Sequence, residues 1–173
     1  MEDSDVGANA GTNVTESDQG GIDWVVLLAD IALAGGVRVA VAESLTSGLV
    51  ASAIGAGPEA EDWFAGGVVA YQSSVKEGLL GVEPGLDPVS GECAEQLAVG
   101  VLRAMKADVA VSTTGVGGPD PQDGHPPGTV YIGWAMDGSH GHRALRLNGD
   151  PEHILSQTVT AAVRLLLDAS VKL

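Results

Sequence analysis

Short apolar runs recur along this chain, and each leads into a turn or a segment of helical spacing. VRVAVA at 37–42, GVVAY at 67–71, VAVST at 109–113 and TVYIGWA at 129–135 are brief and rich in β-branched residues. Runs of that kind read as strands rather than buried helices. HRALRL at 142–147 follows across the turn Asp137-Gly138 and completes a hairpin. Between the strands, residues 22–34, 45–54, 72–80 and 90–105 read as helices. A last helix opens at Asp150-Pro151, where Asp suits the N-cap and Pro the first helical position. Strands interleaved with helices predict an α/β fold, a three-layer α/β/α sandwich. The terminal hairpin adds antiparallel strands, so the sheet is expected to be mixed.

Residues 21–173 are expected to form one folded domain, with a core built mainly from Ala, Val, Leu and Ile, because aromatics are only 3% of the chain. Residues 1–20 hold five acidic residues, no basic ones and almost nothing to bury. They are expected to form a disordered acidic tail. The whole chain carries a net charge of −15 with only 8 lysines and arginines. So few cations exclude the basic patch of a nucleic-acid binder and argue against docking on an anionic membrane. A single cysteine, Cys93, excludes an internal disulfide framework and a cysteine-rich metal site. The four histidines show no zincin spacing, so no metal ligand is assigned. No apolar run approaches the roughly 20 residues of a membrane-spanning helix. The first 20 residues lack the basic and apolar regions of a secretory leader, so a cytoplasmic protein is expected.

Three segments at strand ends are candidates for chemistry. In Glu43-Ser44-Leu45-Thr46-Ser47-Gly48, Ser44 and Thr46 follow the strand at 37–42, where α/β proteins place ligands. Backbone N–H groups there can hold an anion or a developing oxyanion. Either hydroxyl also serves as a plain helix cap. Tyr71 and Lys76 follow the strand at 67–71. A lysine beside an apolar sheet has a lowered pKa and can take a proton from a serine; the alternative is a solvated helix lysine. Thr114 and Gly115 open the loop TGVGGPD after the third strand. Its glycines allow a ligand to approach the backbone, or it is simply a loop; it lacks the spacing of a P-loop or a dinucleotide fingerprint.

These segments, with VSGECAEQLA at 89–98 and PGTVYIG at 127–133, stand in the order of a known family. From about residue 22 to 168 the chain resembles the CinA C-terminal domain family, whose characterised enzymes are nicotinamide mononucleotide (NMN) amidohydrolases of NAD salvage. The resemblance implies a cytoplasmic homo-oligomer that uses neither metal nor cofactor and acts on a small pyridine nucleotide. It implies hydrolysis of the NMN carboxamide to nicotinate mononucleotide and ammonia. Ser44 would be the nucleophile, Lys76 its base and Tyr71 an assistant, with Thr46, Thr114 and Gly115 lining the substrate site. The alternative is a catalytically weak member that binds a nucleotide or a protein partner. In longer CinA proteins a molybdopterin-binding-like domain precedes this one, and the resemblance covers none of it.

Three positions depart from the family run Glu-Ser-Cys-Thr-Gly-Gly and from its later Gly-Asp-Arg. Leu45 stands for Cys, Ser47 for the first Gly, and Pro151 for Arg. An arginine at 151 is suited to hold a phosphate, and proline is not. Arg143, or Arg146 on the same strand, is then expected to supply the contact.

Overall fold

The computed structural model describes residues 23–173. The expected tail at 1–20 lies outside the described residues. Eleven elements follow in order. They are α1 (Trp24–Gly35), β1 (Val39–Glu43), α2 (Leu49–Gly55), α3 (Ala60–Trp63), β2 (Phe64–Val69), α4 (Ser73–Leu80), α5 (Gly91–Met105), β3 (Val109–Gly115), β4 (Thr129–Met136), β5 (Ser139–Arg146) and α6 (Pro151–Ser170). The five strands form one sheet in the order β2-β1-β3-β4-β5. β1 is parallel to both β2 and β3; β3, β4 and β5 run antiparallel. This is the mixed α/β sheet expected from the interleaved pattern.

The two faces of the sheet are filled differently, and the sequence alternation says why. On β1 and β3, Val39, Val41, Val109 and Val111 point to one face and join Val130 and Ile132 of β4. Leu28, Ala29 and Ala32 of α1 and Ile154, Val163 and Leu166 of α6 cover that face. Ala40, Ala42 and Ala110 point to the other, where Cys93, Leu97 and Val101 of α5 pack. Small residues on the second face let α5 sit very close to the strands. Gly133 of β4 marks the limit: a Cβ there would lie 2.1 Å from the carbonyl oxygen of Ala94.

Some boundaries differ from expectation. The segment at 45–48 is a turn, and α2 begins only at Leu49. β2 starts three residues early, at Phe64, after the short helix α3, which the sequence pattern did not reveal. Among the described residues, no helix is long and apolar enough to cross a membrane.

Candidate active site

In a sheet of order β2-β1-β3, all parallel, the three C-terminal ends lie at one edge. Ligands of open α/β sheets bind in the crevice outside such ends. A cavity of about 510 Å³ opens there, lined by Ser44, Leu45, Tyr71, Lys76, Thr114, Gly115 and the loop at 116–118. Pro151 and Leu155, from the start of α6, close another wall, and Asp120 and Asp123 also line it. A larger groove of about 710 Å³ lies against α4 and α5, and it holds none of the candidate residues.

The turn that carries Ser44 is fixed on both sides. The Ser44 N–H donates to the carbonyl of Thr113 at 3.0 Å, and Thr46 and Thr113 share a hydroxyl hydrogen bond of 2.7 Å. Neither serine nor threonine caps the following helix. That work falls to Glu43, fully buried at the end of β1. Its carboxylate accepts the N–H groups of Gly48 and Val50 at 3.0 Å and of Ala51 at 2.8 Å. The charge at the start of α2 is thereby satisfied from the strand, and the Ser44 hydroxyl has no hydrogen-bond partner among the described residues.

Lys76 is buried, because helical spacing places it with Leu80 on the inner face of α4. Its Nζ donates to the backbone carbonyl of Tyr71 at 3.1 Å and makes no hydrogen bond to Ser44. Burial pushes its pKa below the ordinary lysine value; nearby Cys93 and Asp123 oppose that shift. Cys93 is itself buried, and desolvation raises its thiol to about 11.

Three expectations about side chains need correction. Tyr71 is 65% exposed, and it is its backbone carbonyl rather than its phenol that meets Lys76. The pleat explains this: Ala70 points inward at the strand end, which turns Tyr71 outward. Arg143 lies exposed on the edge strand β5 and does not line the cavity; nor does Arg146, whose guanidinium stacks over Tyr131. Thr46 is also absent from the wall, since its hydroxyl is spent on Thr113. The Thr114 hydroxyl donates to the carbonyl of Pro88, so Thr114 offers the cavity a wall rather than a free donor. Gly115 has φ of +148°, and a Cβ there would meet the carbonyl oxygen of Thr129 at 2.3 Å. Glu43, Thr113, Asp123 and Leu155 were not recognisable as parts of the site, because their roles depend on partners far away in sequence.

The family model of the CinA C-terminal domain matches residues 24–170. The chain belongs to this family. A competence-damage inducible protein of Geobacillus kaustophilus is 45% identical over 139 residues, covering 77% of this chain and 33% of the relative. A CinA-like protein of Frankia casuarinae is 40% identical over 132 residues, covering 74% of this chain and 30% of the relative. The chain thus spans about a third of the length of these relatives. Solved CinA superfamily structures match almost end to end. One from Klebsiella pneumoniae has a TM-score of 0.82 at 29% identity, covering 87% of this chain and 97% of the other. One from Escherichia coli has a TM-score of 0.81 at 28% identity, covering 92% and 99%. The CinA α/β fold is therefore shared across the described domain.

Proposed function

We infer that this CinA-family domain is an amidohydrolase that releases ammonia from the carboxamide of a pyridine nucleotide, with NMN as the reference substrate. The observation that carries this reading is one cavity wall holding both an unpartnered serine hydroxyl and a buried lysine. A serine attacks an amide only when a base removes its proton, and burial lowers the pKa of Lys76 in the direction that supplies a neutral amine.

The reaction balances with these two groups and water. Ser44 Oγ bonds to the carboxamide carbon while its proton passes to Lys76 Nζ, directly or through one water. The carbonyl oxygen gains negative charge; the amide of Leu45, which lines the cavity and has no partner among the described residues, is its candidate donor. The Ser47 amide is not available, since it donates to the carbonyl of Ser44 at 3.2 Å. Lys76 returns the proton to the leaving nitrogen, the C–N bond breaks, and ammonia departs. Water then attacks the ester on Ser44, its proton moves by the same route, and the carboxylate product leaves the free serine.

Ammonia release from NMN by the purified protein tests the reading, with Ser44→Ala as the control. Turnover lost in the variant supports it, and equal turnover in both overturns it. A second reading, a binding protein with little catalysis, is favoured by one observation: Lys76 Nζ is turned to the Tyr71 carbonyl and not to Ser44. NMN binding without ammonia release would support that second reading.

A further inference from the structure

The turn that presents Ser44 ends on two strained residues. Ser47 and Gly48 stand side by side in the left-handed region, with φ of +49° and +103°. Left-handed backbone is costly for a residue with a Cβ and persists only where its surroundings impose it. Within the turn, the Ser47 N–H donates to the Ser44 carbonyl at 3.2 Å and the Leu49 N–H to the Thr46 carbonyl at 2.9 Å. Ser44 and Thr46 are tied to Thr113 of β3. The far end, from Gly48 onward, is held by Glu43.

Glu43 and Ser44 are neighbours in sequence and serve opposite sides of the strand end. Ser44 and Leu45 line the cavity, and Glu43 does not. The alternation of β1 sends Val39 and Val41 toward α1 and α6, and Glu43 continues that series. It is buried, and burying a carboxylate is costly unless hydrogen bonds compensate it. Capping a helix of seven residues does not require that outlay, since a serine or aspartate at the N-cap does the same from the surface. Here the N-cap is Gly48, which has no side chain to offer. The carboxylate reaches over the turn instead, giving Oε2 to Gly48 and Val50 and Oε1 to Ala51. What this gains over an ordinary cap is a closed loop. The strand end and the helix start are joined by a side chain as well as by the backbone of residues 44–47.

We propose that Glu43 is a positioning residue for Ser44: acting through the amides of Gly48, Val50 and Ala51, its carboxylate holds residues 44–47 in the conformation that presents the Ser44 hydroxyl to the cavity. The proposal rests on the amidohydrolase reading for what Ser44 attacks. A nucleophile displaced by about 1 Å loses on the order of a hundredfold in rate, while the groups that bind substrate keep their places on other elements.

Glu43→Gln keeps the length of the side chain but offers one acceptor oxygen and turns an NH2 toward a backbone N–H. Steady-state kinetics with NMN, well below each protein's melting transition, read the effect per folded molecule. kcat is expected to fall about tenfold to a hundredfold, with KM within about twofold of the wild type. Cys93 and Asp123, not Glu43, bear on the charge of Lys76, so the midpoint of the pH profile is expected to stay in place. Full kcat with a lower melting temperature would make Glu43 a helix cap only and overturn the proposal, as would a raised KM at unchanged kcat. Gly48→Ala strains the same turn and leaves the carboxylate in place. Its Cβ meets nothing nearer than Val69 at 3.9 Å, and only the φ of +103° opposes it. It is expected to lower kcat with KM kept; full kcat overturns the proposal, also where Glu43→Gln does not fold.

If the wild type releases no ammonia from NMN, the amidohydrolase reading fails, and the reactivity of Ser44 decides this proposal alone. Phenylmethanesulfonyl fluoride is the probe: Ser44 Oγ bonds to sulfur, fluoride leaves, and the hydroxyl proton passes to water. Mass spectrometry follows the labelling. Labelling at least about tenfold slower in the two variants supports the proposal. Equal rates, or an unlabelled Ser44 in the wild type, overturn it.

Discussion

The hydroxyls of Thr46 and Thr113 meet at 2.7 Å, both shielded from solvent. Together with the Ser44 N–H bond to the Thr113 carbonyl, this contact fastens the nucleophile's turn to the end of β3. Thr46→Val removes one hydroxyl and leaves the Thr113 Oγ buried without that partner. The expected loss of stability is about 1–2 kcal/mol. Turnover is expected to fall more than substrate affinity, because Ser44 loses its placement and the cavity wall keeps its groups. Urea melts of the two single variants and of Thr46→Val with Thr113→Val measure the coupling. A coupling near zero would show that the two hydroxyls act independently.

Ser44→Ala separates chemistry from structure cleanly. The hydroxyl supports no helix and bonds no other described residue, since Glu43 caps α2. The variant is expected to lose ammonia release altogether and to keep stability within about 0.5 kcal/mol. A large drop in melting temperature would mean that Ser44 has a structural partner after all.

Ser47 sits at φ of +49°, in the left-handed region, within the turn that follows Ser44. For a residue with a Cβ that conformation costs about 1–2 kcal/mol. Glycine removes the cost but makes the unfolded chain looser by roughly 0.5–1 kcal/mol. The two effects leave Ser47→Gly more stable by about 0.5 kcal/mol. A denaturant midpoint that moves down instead would show that the serine side chain contributes to the turn.

Most of the architecture was legible because the chain alternates in ways that only one arrangement satisfies. Val39-Ala40-Val41-Ala42 is both a strand signal and a statement that one face takes large neighbours and the other a close helix. The Asp150-Pro151 start of α6 was equally plain. The site was legible in part. Ser44, Lys76 and the 114–118 loop stand at strand ends, and the parallel order β2-β1-β3 brings such ends together. What stayed hidden depends on side-chain direction. Glu43 reads as one more acidic residue until the fold turns it onto three backbone amides. Tyr71 reads as a partner for Lys76 until the pleat faces it outward. Arg143 reads as a spare cation near the last helix until the sheet order sends it to the far edge.

Gly133→Ala probes how tightly α5 is seated. The added Cβ would lie 2.1 Å from the Ala94 carbonyl oxygen, so helix and strand must separate. The expected cost is about 2–3 kcal/mol, typical of overpacking against an unyielding backbone. A urea midpoint lowered with an unchanged slope is the expected result. An unchanged midpoint would mean that α5 shifts freely over β4.

Lys76 ties stability to pH and gives the activity profile its direction. Burial lowers its pKa in the folded protein below the ordinary 10.5. Between those two values the unfolded chain holds the proton more often than the folded one, so stability rises with pH across that window. Below the folded pKa both states are protonated, and the cost of burying the ammonium is present in full. Lys76→Met is expected to flatten this rise, to stabilise the protein at neutral pH and to abolish ammonia release. For the wild type, kcat/KM is expected to climb with pH as the amine becomes neutral, then level off. The Asp123 carboxylate favours the ammonium and so holds the climb at higher pH. Asp123→Asn should move it down, and only slightly, because Asp123 is exposed and screened. A climb that moves up in Asp123→Asn, or a profile that falls with pH in the wild type, would remove Lys76 as the base.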